Sequence, residues 1–251
     1  MLLAATEYVR PASLEEALTA LRANTGARVL AGGQTLINVL KHRAASVDLL
    51  VDVSRLAELR GAQPLIGEVA AGTVDRQVRV RGTIGGNACF ADPSSNYPPL
   101  LVALEASMEI AGESGTRSVP ASEFFLGLYR TAVGPGELLR AITLPAHALA
   151  ADCAFRQASL SPRGRSAALV IGRHDRDGTT VITATASVTR PLVLRFDALP
   201  EAAELGDALA AAAATGRVGY HDDVHGDPDW RRHLTALLAE QVRAELAARD
   251  V

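Results

Sequence analysis

Residues 81–88 read Arg-Gly-Thr-Ile-Gly-Gly-Asn-Ala, and residues 31–36 read Ala-Gly-Gly-Gln-Thr-Leu. In each stretch a glycine pair lies between apolar, strand-like residues and a segment that can form a helix or a turn. Because glycine has no Cβ, backbone N–H groups there can approach an anion closely. A tight turn is the simpler interpretation of either pair alone. Two such loops, each followed by polar side chains (Gln34 and Thr35; Asn87), favour a dinucleotide pyrophosphate. Neither fits Gly-x-Gly-x-x-Gly, which disfavours a Rossmann domain.

The N-terminal part of the sequence alternates strand-like and helix-like stretches. A short strand near Tyr8 precedes a helix that Ser13 can cap, with Glu16 three residues later as in a capping box. Residues 28–31 and 48–53 predict strands, and apolar residues at helical spacing lie between them. This order predicts an α/β unit around the first glycine pair.

The rest of the chain predicts a loop, a hairpin, a domain boundary and a smaller mixed unit. Residues 91–99 are rich in Pro and short polar side chains, which predicts a loop. We expect a boundary near Pro145, where the pattern weakens. The other predicted elements are a hairpin over 107–120, strands over 137–145, 167–172 and 179–188, and helices over 201–214 and 228–248.

Composition excludes several classes of function. The chain has 251 residues, 48% of them hydrophobic, which suits two globular domains. Its net charge of -3 includes no basic stripe, so nucleic acid is not an expected partner. No apolar stretch approaches the roughly 18 residues of a membrane span, and the N-terminal apolar run is too short for a signal peptide, so we expect a cytoplasmic protein. Two distant cysteines predict neither a disulfide framework nor a metal site.

Three ordered motifs carry a family resemblance. The stretches AGGQTLI (31–37), RGTIGGNACFADPSS (81–95) and FFLGLYRTAVGPGELLRAITLP (124–145) resemble the flavoprotein, or medium, subunit of the carbon monoxide dehydrogenase and xanthine dehydrogenase family of molybdenum hydroxylases. Residues 221–234 resemble the motif that opens that family's last helix. The resemblance implies an α+β fold. A two-subdomain FAD-binding domain of the vanillyl-alcohol oxidase-like (PCMH) type would span 1–147, divided near residue 55, and a smaller α+β C-terminal domain would span 148–251.

The resemblance also implies a cofactor, its contacts and its partners. The residues expected to hold the FAD pyrophosphate are Ala31, Gly32, Gly33, Gln34, Thr35 and Leu36 on one side, and Thr83, Ile84, Gly85, Gly86 and Asn87 on the other. Asp92 would hydrogen-bond the ribityl or adenosine part, and Tyr129 would contact the isoalloxazine ring or simply pack in the core. A molybdopterin-binding large subunit and a 2Fe-2S small subunit would supply electrons that FAD passes to an acceptor. Because the flavin carries the redox chemistry, no catalytic side chain is assigned.

The sequence departs from the family pattern at three places. Only 23 residues separate Leu59 from Thr83, where relatives have a strand and an additional helix. The stretch from Pro64 to Ala70 can be matched either to that strand or to a later helix. Ser166 stands where an acidic residue is expected, and Phe90 where a polar residue is common.

These departures keep other functions open. A stand-alone FAD-dependent oxidoreductase or tailoring enzyme, with self-association in place of partner subunits, is one alternative. An assembly module that no longer binds FAD is another. The cluster of His221, Asp222, Asp223 and His225 can be interpreted as a metal site, but the resemblance favours a helix start with Asp227 or Asp229 near its N-terminus, and no metal is expected.

Overall fold

The computed structural model describes residues 7–24, 26–30, 49–52, 82–92, 94–161, 164–215 and 218–249. Its strands are β1 (Glu7–Val9), β2 (Ala27–Leu30), β3 (Leu49–Asp52), β4 (Ser107–Gly112), β5 (Gly115–Pro120), β6 (Phe125–Gly127), β7 (Arg130–Thr131), β8 (Leu138–Thr143), β9 (Asp152–Ser159), β10 (Ser166–His174), β11 (Thr180–Thr185) and β12 (Leu192–Phe196). Its helices are α1 (Leu14–Ala23), α2 (Ile84–Phe90), α3 (Tyr97–Ala103), α4 (Ala121–Phe124), α5 (Ala146–Leu149), α6 (Ala202–Ala214) and α7 (Pro228–Arg249). Helices and sheets are thus mixed along the chain. Not one of these helices is both long and apolar enough to cross a bilayer.

The first sheet is parallel, with β3 between β1 and β2. Helix α1 begins as predicted, because the Ser13 hydroxyl accepts a hydrogen bond from the N–H of Glu16 at 3.2 Å. Ala17, Leu18 and Leu21 form its buried face. Parallel strands joined through a helix agree with the predicted α/β unit. The helix predicted after the first glycine pair lies outside the described residues.

The second sheet packs against α2, the helix that contains the second glycine motif. Its middle strand, β4, pairs antiparallel with β5 and β8, which confirms the predicted hairpin and the strand after it. Met108 and Ile110 are fully buried and form a core with Phe124. The same core includes Ala88 of α2 and Leu101 of α3, so the sheet fixes the position of both helices.

The C-terminal sheet is antiparallel, in the order β12-β11-β10-β9. Strand β10 is buried on both faces, as expected for the middle layer of three. Alternate side chains of a strand point to opposite faces. Accordingly, Ala168 and Val170 contribute to a core with α6 and α7, whereas Leu169 and Ile171 pack with α3.

Gly172 lets α7 lie close to β10. A Cβ at this position would lie 2.3 Å from Cγ1 of Val242 and 2.8 Å from Cδ1 of Leu246, both buried side chains of α7. Any larger residue would therefore require the helix or these side chains to move.

A buried arginine joins α3 to the C-terminal sheet. Arg173 is fully buried, and its Nη1 donates to the Ala103 carbonyl at 2.8 Å. Its Nη2 donates to Oε2 of Glu105 at 2.9 Å and to Oδ2 of Asp175 at 2.8 Å. Glu105 also forms an ion pair with Arg195 of β12. Charge pairing and apolar contact therefore act together between these two layers.

The structure corrects two sequence-based predictions and shows strands that the sequence did not predict. Residues from Tyr97 onward form α3 instead of a loop, because Pro98 and Pro99 lie in its first turn, where the missing N–H has no partner within the helix. Strands β9 and β12 lack a clear pattern because both are partly exposed edge strands. Strand β11 ends at Thr185 and not at Val188, since Ala186 has a φ of 62°.

Candidate functional site

The second glycine motif forms the first turn of α2. Thr83 has extended backbone angles (φ -120°, ψ 151°), and its hydroxyl accepts a hydrogen bond from the N–H of Gly86 at 3.0 Å. The Thr83 carbonyl accepts from the N–H of Asn87 at 2.9 Å. Thr83 is therefore the N-cap, and the two glycines lie inside the helix. The free N–H groups of a first turn and the helix dipole favour negative charge at this end.

Two features leave this end of α2 suited to a ligand. Apart from the chain neighbours of Gly85 and the backbone of its own helix, no heavy atom of the described residues lies within 4 Å of the position that a Cβ on Gly85 would occupy. Asn87 donates from Nδ2 to Oγ of Ser95 at 3.3 Å, whereas its Oδ1 is buried and has no hydrogen-bond partner in the described part of the chain. An unpaired buried acceptor costs about 1–3 kcal/mol. A hydroxyl or N–H of a bound cofactor would remove that penalty.

The C-terminal end of α2 carries an aromatic pair. Ala91 caps the helix in the left-handed conformation (φ 50°), and its carbonyl accepts from the N–H of Tyr129 at 3.1 Å. The Tyr129 ring lies 4.9 Å from the Phe90 ring, centroid to centroid, at an angle of 38°. Tyr129 is 48% exposed, which is inconsistent with simple core packing. Its ring is therefore available to a flat ligand.

Asp92 connects α2 to the C-terminal sheet. Its carboxylate is nearly buried, and Oδ1 accepts from the N–H of Ser94 at 2.9 Å and from the Ser94 hydroxyl at 2.7 Å. Its Oδ2 forms an ion pair with Arg165, the residue before β10. A carboxylate has about four acceptor positions. Donors among the described residues occupy three of them, which leaves one.

The sequence-predicted residues are thus partly brought together. Thr83, Asn87, Asp92 and Tyr129 lie at or next to the two ends of one seven-residue helix. Residues 31–36 lie outside the described residues, so their approach to α2 stays a prediction. Sequence reasoning missed two partners of Asp92. The Asp-x-Ser pattern signals Ser94, because Asp side chains often accept from the N–H two residues later, whereas Arg165, 73 residues away, has no local signal.

A cleft of about 340 Å³, including its open mouth, lies beside Asp92. One wall comes from the region of α2, α3 and β6, and the other from residues that follow or end β11. The lining residues are Ala91, Asp92, Pro98, Phe125, Gly127, Thr185, Ala186, Val188, Thr189, Arg190 and Pro191. Both the chain that follows α2 and the chain that follows β11 therefore contribute to the surroundings of Asp92.

The histidine- and aspartate-rich segment is a helix start, as the resemblance implies. Asp227 accepts from the N–H of Asp229 at 3.0 Å and of Trp230 at 2.9 Å, which caps α7. Asp223 pairs with Arg231, a buried residue that also donates to backbone carbonyls. Within the described ranges, no three His, Cys, Asp or Glu side chains are grouped as a metal site requires.

His221 lies half-buried near this turn. Burial, followed by the positive charge of Arg231, lowers the pKa of His221. Its Nε2 is buried without a hydrogen-bond partner in the described part of the chain. The neutral form of the ring is therefore favoured.

Similarity to known proteins identifies the family of this chain. A family model described as the FAD binding domain in molybdopterin dehydrogenase matches residues 4–72 and 61–147. The chain belongs to this family. A relative within the FAD-binding family, the carbon monoxide dehydrogenase medium chain of Hydrogenophaga pseudoflava, is 30% identical over 96% of each chain. The glyceraldehyde dehydrogenase medium chain of Sulfolobus acidocaldarius is 38% identical over 55% of this chain and 59% of its own. The solved carbon monoxide dehydrogenase of H. pseudoflava matches with a TM-score of 0.83 and 27% identity over 99% of both chains.

The family match also bears on the short segment before the second glycine motif. The two matched ranges share residues 61–72, as expected if one stretch aligns with two separate parts of the FAD-binding family. The alignment with the carbon monoxide dehydrogenase medium chain runs over 279 positions, whereas this chain has 251 residues. The relative therefore has residues that this chain lacks, consistent with the two registers for Pro64 to Ala70.

Proposed function

We propose that this chain is the FAD-binding subunit of a molybdenum hydroxylase-type dehydrogenase. FAD would take electrons from iron–sulfur clusters of a partner subunit and pass them to an acceptor. The observation that carries the proposal is the capped start of α2, with open space at Gly85 and an unpartnered acceptor on Asn87. This feature occurs in a chain whose family is defined by FAD binding.

The pyrophosphate of FAD is assigned to the N-terminal end of α2. Backbone N–H groups and the positive end of the helix dipole favour a phosphate there, and glycine permits close approach. Residues 31–36 approach from the opposite side in this proposal, as the family resemblance implies. The residues that would hold this part of FAD are Ala31, Gly32, Gly33, Gln34, Thr35 and Leu36, together with Thr83, Ile84, Gly85, Gly86 and Asn87.

The other end of α2 is assigned to the sugar-alcohol and ring parts of the cofactor. The donors that the structure describes around Asp92 leave one acceptor position for a ribityl or adenosine hydroxyl. Tyr129, held by Ala91 and supported by Phe90, offers a half-exposed ring to the isoalloxazine. Offset aromatic pairs contribute about 0.5–1.5 kcal/mol beyond the burial of their surfaces.

The bound FAD supplies the electron-transfer chemistry, which no side chain of this chain can perform. The protein residues bind the cofactor, orient its ring and shield part of it from water. No residue is assigned as an acid or a base, and the site needs none for electron transfer.

The other redox centres are assigned to partner subunits. An ordinary [2Fe–2S] cluster takes four cysteine thiolates, and this chain has two cysteines. We therefore assign the clusters to a 2Fe-2S small subunit and the molybdopterin to a large subunit, in line with relatives that are named medium chains. The chain would divide into a PCMH-type FAD domain over 1–147 and a C-terminal domain over 148–251, and the complex would be cytoplasmic.

Visible absorbance of the purified full-length chain tests FAD binding. We expect an oxidised-flavin spectrum on purification or after incubation with FAD. Thr83→Ala removes the cap of α2 and should weaken FAD binding about fivefold, since caps contribute about 1 kcal/mol and the turn they order carries the phosphate contacts. Thr116→Ala, at an exposed position of β5, is the matched control and should leave binding unchanged. A chain without flavin absorbance that takes up no FAD contradicts the proposal and favours an assembly module.

A stand-alone FAD-dependent oxidoreductase is the second candidate. Two observations favour this candidate: the family matches overlap at residues 61–72, and the carbon monoxide dehydrogenase medium chain has residues that this chain lacks. A shortened chain need not keep every contact with partner subunits. Affinity purification from the native host distinguishes the two. Co-purified chains with molybdenum and iron–sulfur centres support the subunit, whereas a self-associated chain that oxidises a small molecule alone supports the second candidate.

A further inference from the structure

We propose that Arg165 is a positioning residue of the FAD site that acts through Asp92. The inference rests on the proposed function, because it concerns how Asp92 meets the cofactor. Arg165 comes from the hairpin between β9 and β10, outside the 4–147 region that matches the FAD-binding family. The C-terminal sheet thereby contributes a charge to a site otherwise built from the N-terminal part of the chain.

Asp92 lies in nearly buried surroundings that hold one positive charge among the described residues. The residue is 5% exposed, and Ser94 gives its Oδ1 two neutral hydrogen bonds. Arg165 is the one cation paired with it among the described residues. A buried carboxylate that lacks a counter-charge is poorly solvated, so it turns toward water where it can. Without Arg165, Oδ2 of Asp92 would lose its partner, and the carboxylate would no longer be held in place to accept from a cofactor hydroxyl.

The residue after Arg165 departs from the family resemblance. Ser166 stands where the resemblance predicts an acid, and its hydroxyl accepts from Nε2 of Gln157 at 2.7 Å. Ser166 therefore adds no negative charge next to Arg165.

A double-mutant cycle on the full-length chain tests the proposal. FAD dissociation constants are measured by quenching of flavin fluorescence for the wild type, Arg165→Gln, Asp92→Asn and the double variant. We expect each single variant to weaken binding about tenfold, the range of a hydrogen bond to a charged group. The double variant should bind no more weakly than the weaker single variant, because both changes remove one interaction. Effects that multiply in the double variant, or an unchanged Arg165→Gln, overturn the proposal.

Arg195→Gln is the matched control. Arg195 is also a half-exposed arginine of the C-terminal sheet that pairs with a carboxylate of the N-terminal part, Glu105. The FAD dissociation constant of Arg195→Gln should stay within about twofold of the wild-type value. If Arg165→Gln and Arg195→Gln weakened FAD binding equally, the cause would be general contact between the C-terminal sheet and the N-terminal part. That result would contradict a role of Arg165 through Asp92.

Arg165→Lys keeps the charge and decides the outcome if Arg165→Gln folds poorly. We expect this variant to bind FAD within about threefold of the wild type, since it loses only the guanidinium geometry. A tenfold loss of FAD affinity in Arg165→Lys would overturn the proposed role of the positive charge. A wild-type chain that binds no FAD overturns the proposed function itself, whereas a wild type that binds FAD with an unaffected Arg165→Gln variant overturns this inference alone.

Discussion

Replacing Arg173 by Met should lower the free energy of unfolding by about 3–5 kcal/mol. Arg173 is fully buried and makes three hydrogen bonds, to a carbonyl of α3 and to two carboxylates. Methionine fills much of the space but removes the charge. Glu105 would keep Arg195 as a partner, whereas Asp175, 6% exposed, would become an unpaired buried charge. The loss of a partner for Asp175 therefore dominates the expected effect.

Urea unfolding followed by far-ultraviolet circular dichroism measures this change. The double variant Arg173→Met, Asp175→Asn removes the orphaned charge and should recover about 1–3 kcal/mol. Arg140→Met breaks the exposed pair with Glu109 and should lower the unfolding free energy by less than about 1 kcal/mol. The reasoning is refuted if Arg173→Met lies within 1 kcal/mol of the wild type, or if the double variant is no more stable than the single one.

Three further changes test the packing and the titration of the C-terminal part. Gly172→Ala should lower the unfolding free energy by about 1–3 kcal/mol through overpacking against Val242, and an unchanged urea midpoint would contradict it. Asp227→Ala should lower it by about 1 kcal/mol by removing the cap of α7, measured in the same way, and an effect below 0.3 kcal/mol would show that the cap is dispensable. Because the pKa of His221 is lowered in the folded chain, the unfolded chain binds a proton first, so stability should fall as the pH drops below about 6.5. His221→Gln should flatten this part of the pH profile of unfolding, and identical profiles would exclude His221 as its source.

Local signals in the sequence predicted the elements whose cause is local. The Ser13 cap depends on a neighbour three residues away, and it forms as predicted. The turn before β11 contains Gly178 at a φ of 95°, a conformation that glycine adopts without strain. The Asp227 cap is likewise fixed within three residues. Each of these features needs only a short stretch of chain.

The parts that sequence reasoning missed depend on contacts between distant residues. The partner of Asp92 is 73 residues away, and Arg173 donates to a carbonyl 70 residues before it. Strands β9 and β12 are defined by pairing with buried neighbours and not by their own partly exposed sequences. The cap that Thr83 forms could therefore be predicted, because its motif is local, whereas the pairing of Arg165 with Asp92 could not, because the packing of the C-terminal sheet brings them together.

Helix α3 is covered by strand β10, which the ribosome synthesises later. Leu100 and Ala103 of α3, together with Leu104 just after it, are covered by Leu169 and Ile171 of β10. A ribosome adds roughly 5–20 residues per second, so the helix emerges on the order of several seconds before the strand that covers it. During that interval the nascent chain exposes the apolar face of α3 to solvent and to other macromolecules. A fragment cut at residue 147 would keep that face uncovered permanently, and the N-terminal part would aggregate when produced without its C-terminal sheet.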